Sequence, residues 1–84
     1  MGFIPTNKVT QQAIKAVAVT PNDGAELTLS GGVLYIGTGG DVKVTTISGD
    51  DVTFKNLPNG SVLAVQVKKV FNTGTSAADI LALY

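Results

Sequence analysis

Turn signals interrupt this chain so regularly that little room is left between them for anything but short strands. Pro21-Asn22-Asp23-Gly24, Ser30-Gly31-Gly32, Gly37-Thr38-Gly39-Gly40, Ser48-Gly49-Asp50-Asp51, Pro58-Asn59-Gly60 and Asn72-Thr73-Gly74-Thr75-Ser76 follow one another along the chain. Gly and Asn supply positive φ in such turns, and Pro presets φ near −65°. Turns every 8–12 residues or so are the spacing of a β-sandwich or small barrel. Between them lie β-branched runs. Asp41 to Ile47 alternates, with Val42 and Val44 on one face and Lys43 and Thr45 on the other. In Val52-Thr53-Phe54-Lys55 the alternation points Val52 and Phe54 inward. Val62 to Phe71 is the longest candidate, with Leu63, Val65 and Val67 sharing a face. Val33-Leu34-Tyr35-Ile36 is a continuous apolar run and reads as a strand buried on both faces.

The ends are less regular. Residues 1–12 show neither helical nor strand period and read as an extended arm. Gln11 to Ala18 could open a helix, but Val17, Val19 and Thr20 favour a first strand over Ile14 to Thr20. Glu26 to Leu29 reads as a short edge segment. Asp79 to Tyr84 closes the chain as an apolar segment, with a short helix capped by Ser76 as the alternative. The expected fold is all-β: a small antiparallel sandwich or barrel-like domain of about 6–8 short strands over residues 13–84, preceded by the arm.

Composition narrows the function. A single core of 84 residues is marginal, and small domains compensate with disulfides, a metal or a partner subunit. The chain has no Cys and no His, which removes disulfides, thiolate metal sites and the commonest general base. No cofactor is expected. Six Lys balance six acidic residues, and there is no Arg, the residue best suited to bidentate phosphate and base contacts. Neither a nucleic-acid nor a membrane partner is indicated. The run Ala13 to Val19 is far short of the roughly 18 apolar residues of a membrane span. Met1-Gly2-Phe3-Ile4-Pro5-Thr6 formally matches a myristoylation pattern, without a polybasic partner. Charged residues are 14% of the chain, low for a surface that meets water all round. Oligomerisation is the remaining compensation.

No constellation calls for catalysis. Gly37-Thr38-Gly39-Gly40 leads into a strand, whereas a phosphate-cradling loop opens a helix. Asp50 and Asp51 lack a calcium-loop spacing and read as a solvated hairpin tip. Asn22 and Asp23 suit an Asx turn. Lys68 and Lys69 point to opposite faces of a strand and make a poor phosphate clamp. The residues best suited to an interface are Phe3 and Ile4 on the arm, with Tyr35, Lys68, Phe71 and the terminal Tyr84. For Tyr35 and Phe54 core packing competes with that role. For Tyr84 packing at the core edge does.

Several blocks carry a family resemblance. They are Val19-Thr20-Pro21-Asn22-Asp23-Gly24-Ala25, Leu34-Tyr35-Ile36-Gly37-Thr38-Gly39-Gly40-Asp41-Val42-Lys43-Val44, Val52-Thr53-Phe54-Lys55-Asn56-Leu57-Pro58-Asn59-Gly60 and Leu63-Ala64-Val65-Gln66-Val67-Lys68-Lys69-Val70, followed by the ending Thr73 to Tyr84. In this order, over residues 17–84, the chain resembles the small capsid spike-base proteins of tailed phages and gene transfer agents. The resemblance implies a non-enzymatic, oligomeric virion protein on the outer surface of the head. It implies as partners the major capsid protein, copies of the same chain as a trimer or pentamer, and a spike or fibre protein. Relatives often carry a different loop at Glu26-Leu27-Thr28-Leu29-Ser30-Gly31-Gly32, so contacts made by that loop do not carry over. A tail or neck adaptor ring and a receptor- or carbohydrate-binding β-module of a fibre are the alternatives.

Overall fold

A computed structural model describes residues 13–84. It is all-β, with β1 (Ala16–Ala18), β2 (Gly32–Thr38), β3 (Gly40–Thr46), β4 (Asp51–Leu57), β5 (Ser61–Val70) and β6 (Ala78–Leu83). All form one antiparallel sheet in the order β1-β6-β2-β5-β3-β4. The arm lies outside the described residues.

The register shows how one sheet makes a core by itself. β5 is shared. Its first part pairs with β2, with Ser61 opposite Ile36 and Leu63 opposite Leu34. Its last residues pair with β3, with Lys69 opposite Thr45 and Val70 opposite Val44. Val67 is the crossing point, opposite both Gly32 and Thr46. The sheet therefore has two halves: β1, β6, β2 and the start of β5, then β4, β3 and the end of β5. Their inner faces meet. Leu34 and Ile36 from β2, Val42 and Val44 from β3, Leu63, Val67 and Val70 from β5, and Ile80 and Ala82 from β6 belong to one buried cluster. Each large aliphatic side chain buried there contributes about 1.5–3 kcal/mol.

The corner between the halves is Gly39, the one residue separating β2 from β3. A Cβ there would run into the Leu57 carbonyl oxygen, so only glycine lets the backbones approach. Its N–H donates to Asn59 Oδ1 at 2.6 Å. β2 and β3 do not pair with each other, so the Gly37–Gly40 turn bends one extended path rather than closing a hairpin.

Other local expectations are corrected. Val33 to Ile36 is not buried on both faces: Leu34 and Ile36 are fully buried, while Val33 and Tyr35 are half-buried on the outside. Val52 is 38% exposed because β4 is an edge strand with no further layer over it. β1 is three residues long, although Val19 N–H still donates to the Ile80 carbonyl beyond it. Glu26 to Leu29 forms no strand; Leu27 N–H donates to the Lys68 carbonyl at 2.8 Å and helps cover the end of β5. The C-terminal segment is strand β6, where cross-strand partners on both sides outweigh a local cap.

Candidate interaction surface

Opposite residues on neighbouring antiparallel strands share a face, so the register gives the chemistry of each outer surface. On the first half, Val62, Tyr35, Leu81 and Ala18 form one row across β5, β2, β6 and β1. Val33, Leu83 and Ala16 form the next. No charged side chain stands in either row. Val62 is 55% exposed, and Ala16 and Ala18 are exposed beside half-buried Tyr35, Leu81 and Leu83. These rows are the apolar part of that outer face.

The outer surface of the second half is the opposite. Lys43 faces Thr53, and Thr45 faces Asp51 on one side and Lys69 on the other. Thr45 Oγ1 donates to Asp51 Oδ1 at 2.7 Å. The Nζ atoms of Lys43 and Lys69 lie 4.7 and 4.4 Å from the centre of the Phe71 ring. The negative π-face of a ring attracts such cations. Phe71 is thus bracketed by two lysines of its own chain. Lys68, one residue along from Lys69, is half-buried and belongs to neither arrangement.

Tyr84 is held at the margin of the core. Its hydroxyl donates to the Leu29 carbonyl, and its N–H donates to the Lys15 carbonyl at 2.9 Å. Its ring lies against Gly32, where a Cβ would come within 2.8 Å of Cε2. A cavity of about 460 Å³ opens beside it, lined by Val17, Val19, Leu27, Leu29, Val70 and Ala82 among others. Of the six residues expected at an interface, Tyr35 falls in the uncharged rows. Tyr84 and Phe71 are packed elsewhere, and Phe3 and Ile4 lie outside the described residues.

Sequence reasoning missed one polar device. Asn22 makes the expected Asx turn, its Oδ1 accepting from Gly24 N–H at 2.8 Å. Asp23 does more: its carboxylate accepts from the N–H groups of Asn72 and Thr73, both at 2.8 Å, and from Thr73 Oγ1. The Thr73 hydroxyl is the main cause that holds the Asp23 carboxyl below its ordinary value. This clamp ties the first turn to the loop after β5. No local pattern encodes a partner some fifty positions away. The alternation did encode the outer rows, but only the register shows which strands bring them together.

Among the described residues no group of three or more acidic side chains could hold a metal ion. No protein-family model matches the chain, and no curated protein matches it. Among solved structures it is similar to a chain in the capsid of a native GTA particle computed with C5 symmetry. The TM-score is 0.76 at 28% sequence identity, over 86% of this chain and 83% of that one.

Proposed function

We propose that this chain is a structural protein of a tailed phage or phage-like particle. In this reading it is an oligomeric decoration, cement or spike-base subunit on the outside of the head, bound to the major capsid protein. The observation that carries the reading is the similarity to a GTA capsid chain, which spans most of both chains and includes sequence as well as fold. The surface supports it physically. A small domain with two uncharged, partly exposed rows on one sheet face gains stability when other protein covers them. A trimer or pentamer suits the symmetry of a head, and a spike or fibre protein is a fitting load for its outer side.

Purified particles test this. The protein co-sediments with full heads, and cryo-EM places its density on the outer capsid surface. Density at the neck or tail instead would make it an adaptor ring and overturn the head assignment. Absence from particles would overturn the virion role. Among the described residues the glycan-binding alternative has Tyr35 to offer, since Lys43 and Lys69 already cover the Phe71 ring and the Tyr84 hydroxyl is engaged by Leu29.

A further inference from the structure

Asn59 and Gly60 are the one Asn-Gly pair of the chain; its other asparagines precede Lys8, Asp23, Leu57 and Thr73. Asparagine before glycine is the pair most open to deamidation, because no side chain shields the following nitrogen. The reaction needs only water and mild base. The Gly60 nitrogen, having lost its proton to solvent, attacks Asn59 Cγ. The bond from Cγ to Nδ2 breaks, ammonia leaves and a succinimide ring closes. Water then opens the ring. Cleavage at the side-chain carbonyl gives aspartate, and cleavage at the main-chain carbonyl gives isoaspartate, in which Cβ has entered the backbone.

Both residues are exposed, so burial does not keep water from them. Hydrogen bonds hold the reacting atoms apart instead. Asn59 Oδ1 accepts from Gly39 N–H at 2.6 Å, which fixes the side chain against the corner between the two halves. Gly60 N–H donates to the Ile36 carbonyl at 2.7 Å, so its proton is held and its nitrogen faces β2. Gly60 stands at φ 75°, Asn59 is not at positive φ, and Ser61 N–H donates to the Pro58 carbonyl, which is the form of a type II turn. That turn rotates the peptide after Asn59 so that the Gly60 nitrogen is directed away from the Asn59 side chain. We propose that Asn59–Gly60 is a deamidation site gated by the fold: closed while the bonds to Gly39 and Ile36 hold, and reactive when the corner between β2 and β3 opens. Conversion to isoaspartate then keeps the corner open, because the longer backbone no longer sets Gly60 N–H on the Ile36 carbonyl. The turn and Gly39 are few residues, so this opening is local and costs less than unfolding the whole domain.

Full-length protein held at mildly alkaline pH, sampled over time and digested with trypsin, tests this by mass spectrometry. The peptide Asn56–Lys68 carries Asn59 together with Asn56, a slow internal reference. Asn59 is expected to convert at least about tenfold more slowly in the folded protein than in the same protein held unfolded in urea. Equal rates would overturn the proposal. Gly39→Ala, whose Cβ would crowd Asn59 N and Oδ1 at 3.0 Å, is expected to raise the folded-state rate toward the unfolded one. An unchanged rate in the folded variant would remove Gly39 from the gate and overturn the proposal as stated. Should that variant not fold, the wild type in urea below its unfolding transition takes its place. Conversion that rises in step with loss of hydrogen-exchange protection at Gly60 supports the gate, and conversion indifferent to it overturns the gate. Asn59→Asp, whose carboxylate still accepts from Gly39 N–H, is expected to refold as the wild type does, whereas chains carrying isoaspartate refold in a smaller fraction. Full refolding of those chains would overturn the claim that the corner stays open. None of these readouts involves particle binding, so the virion role keeps its own test.

Discussion

Lys43, Thr53, Asp51 and Lys69 cover the outside of β3, β4 and the end of β5, whereas alanines, Val62, Tyr35 and leucines cover the outside of β1, β6, β2 and the start of β5. The same chain, and in β5 the same strand, builds both. Inward, the halves are alike and share one core. Outward, one is finished for water and the other is not. The second half even satisfies its own exposed aromatic, by setting two lysines on Phe71. The first offers nothing comparable to Val62 or Ile14. If the apolar face is the contact surface, stability and association are separated by face rather than by segment, and substitutions should separate them too.

The largest effect tests whether the halves are one cooperative unit. Ile36→Ala empties a site buried completely between them and should cost about 2–5 kcal/mol in denaturant unfolding. A single transition is expected; two transitions would show that the halves fold independently. Next is the corner. Gly39→Ala drives a Cβ into the Leu57 carbonyl and should cost about 1–3 kcal/mol, through strain on both halves at once. A neutral result would mean the path from β2 to β3 bends freely.

Phe71→Leu sharpens the difference between the outer faces. It removes both lysine contacts and should cost about 1–2 kcal/mol at a half-exposed site, without changing the oligomeric state. A change in assembly would place an interface on the polar half as well. The smallest effect concerns Asp23. Its carboxyl is held below 3.8, so its stabilisation is present above about that pH and is lost as pH falls through the lower folded value. Asp23→Asn should lower the melting temperature modestly at pH 7 and flatten its dependence on pH below 4. An unchanged acid profile would mean that the clamp contributes no linkage.

Much of the fold is legible in the residues. The alternation of Val42 and Val44 with Lys43, and of Leu63 and Val67 with their neighbours, identifies inward positions because a strand turns a side chain over at every step. The turn at Asn22 is legible for a similar reason, since the side chain and its target are two residues apart. Val33 and Tyr35 were harder. An apolar residue looks the same whether it faces a core or a partner, so the run Val33 to Ile36 reads as doubly buried when only alternate residues are. The missing information is not in the run but in which strands lie beside it.

The sequence by itself determined that this chain is a small all-β domain without disulfides, with its strands set by local turn chemistry and its charge balanced and sparse. Those properties depend on residue type and short spacing. Only the tertiary structure decided that β5 serves two halves, that Asp23 reaches Thr73, and that one outer surface is apolar across four strands while the other is polar. Each of these depends on pairing between positions distant in the chain. Such pairing follows from how the sheet as a whole buries its apolar faces, and no single segment specifies it.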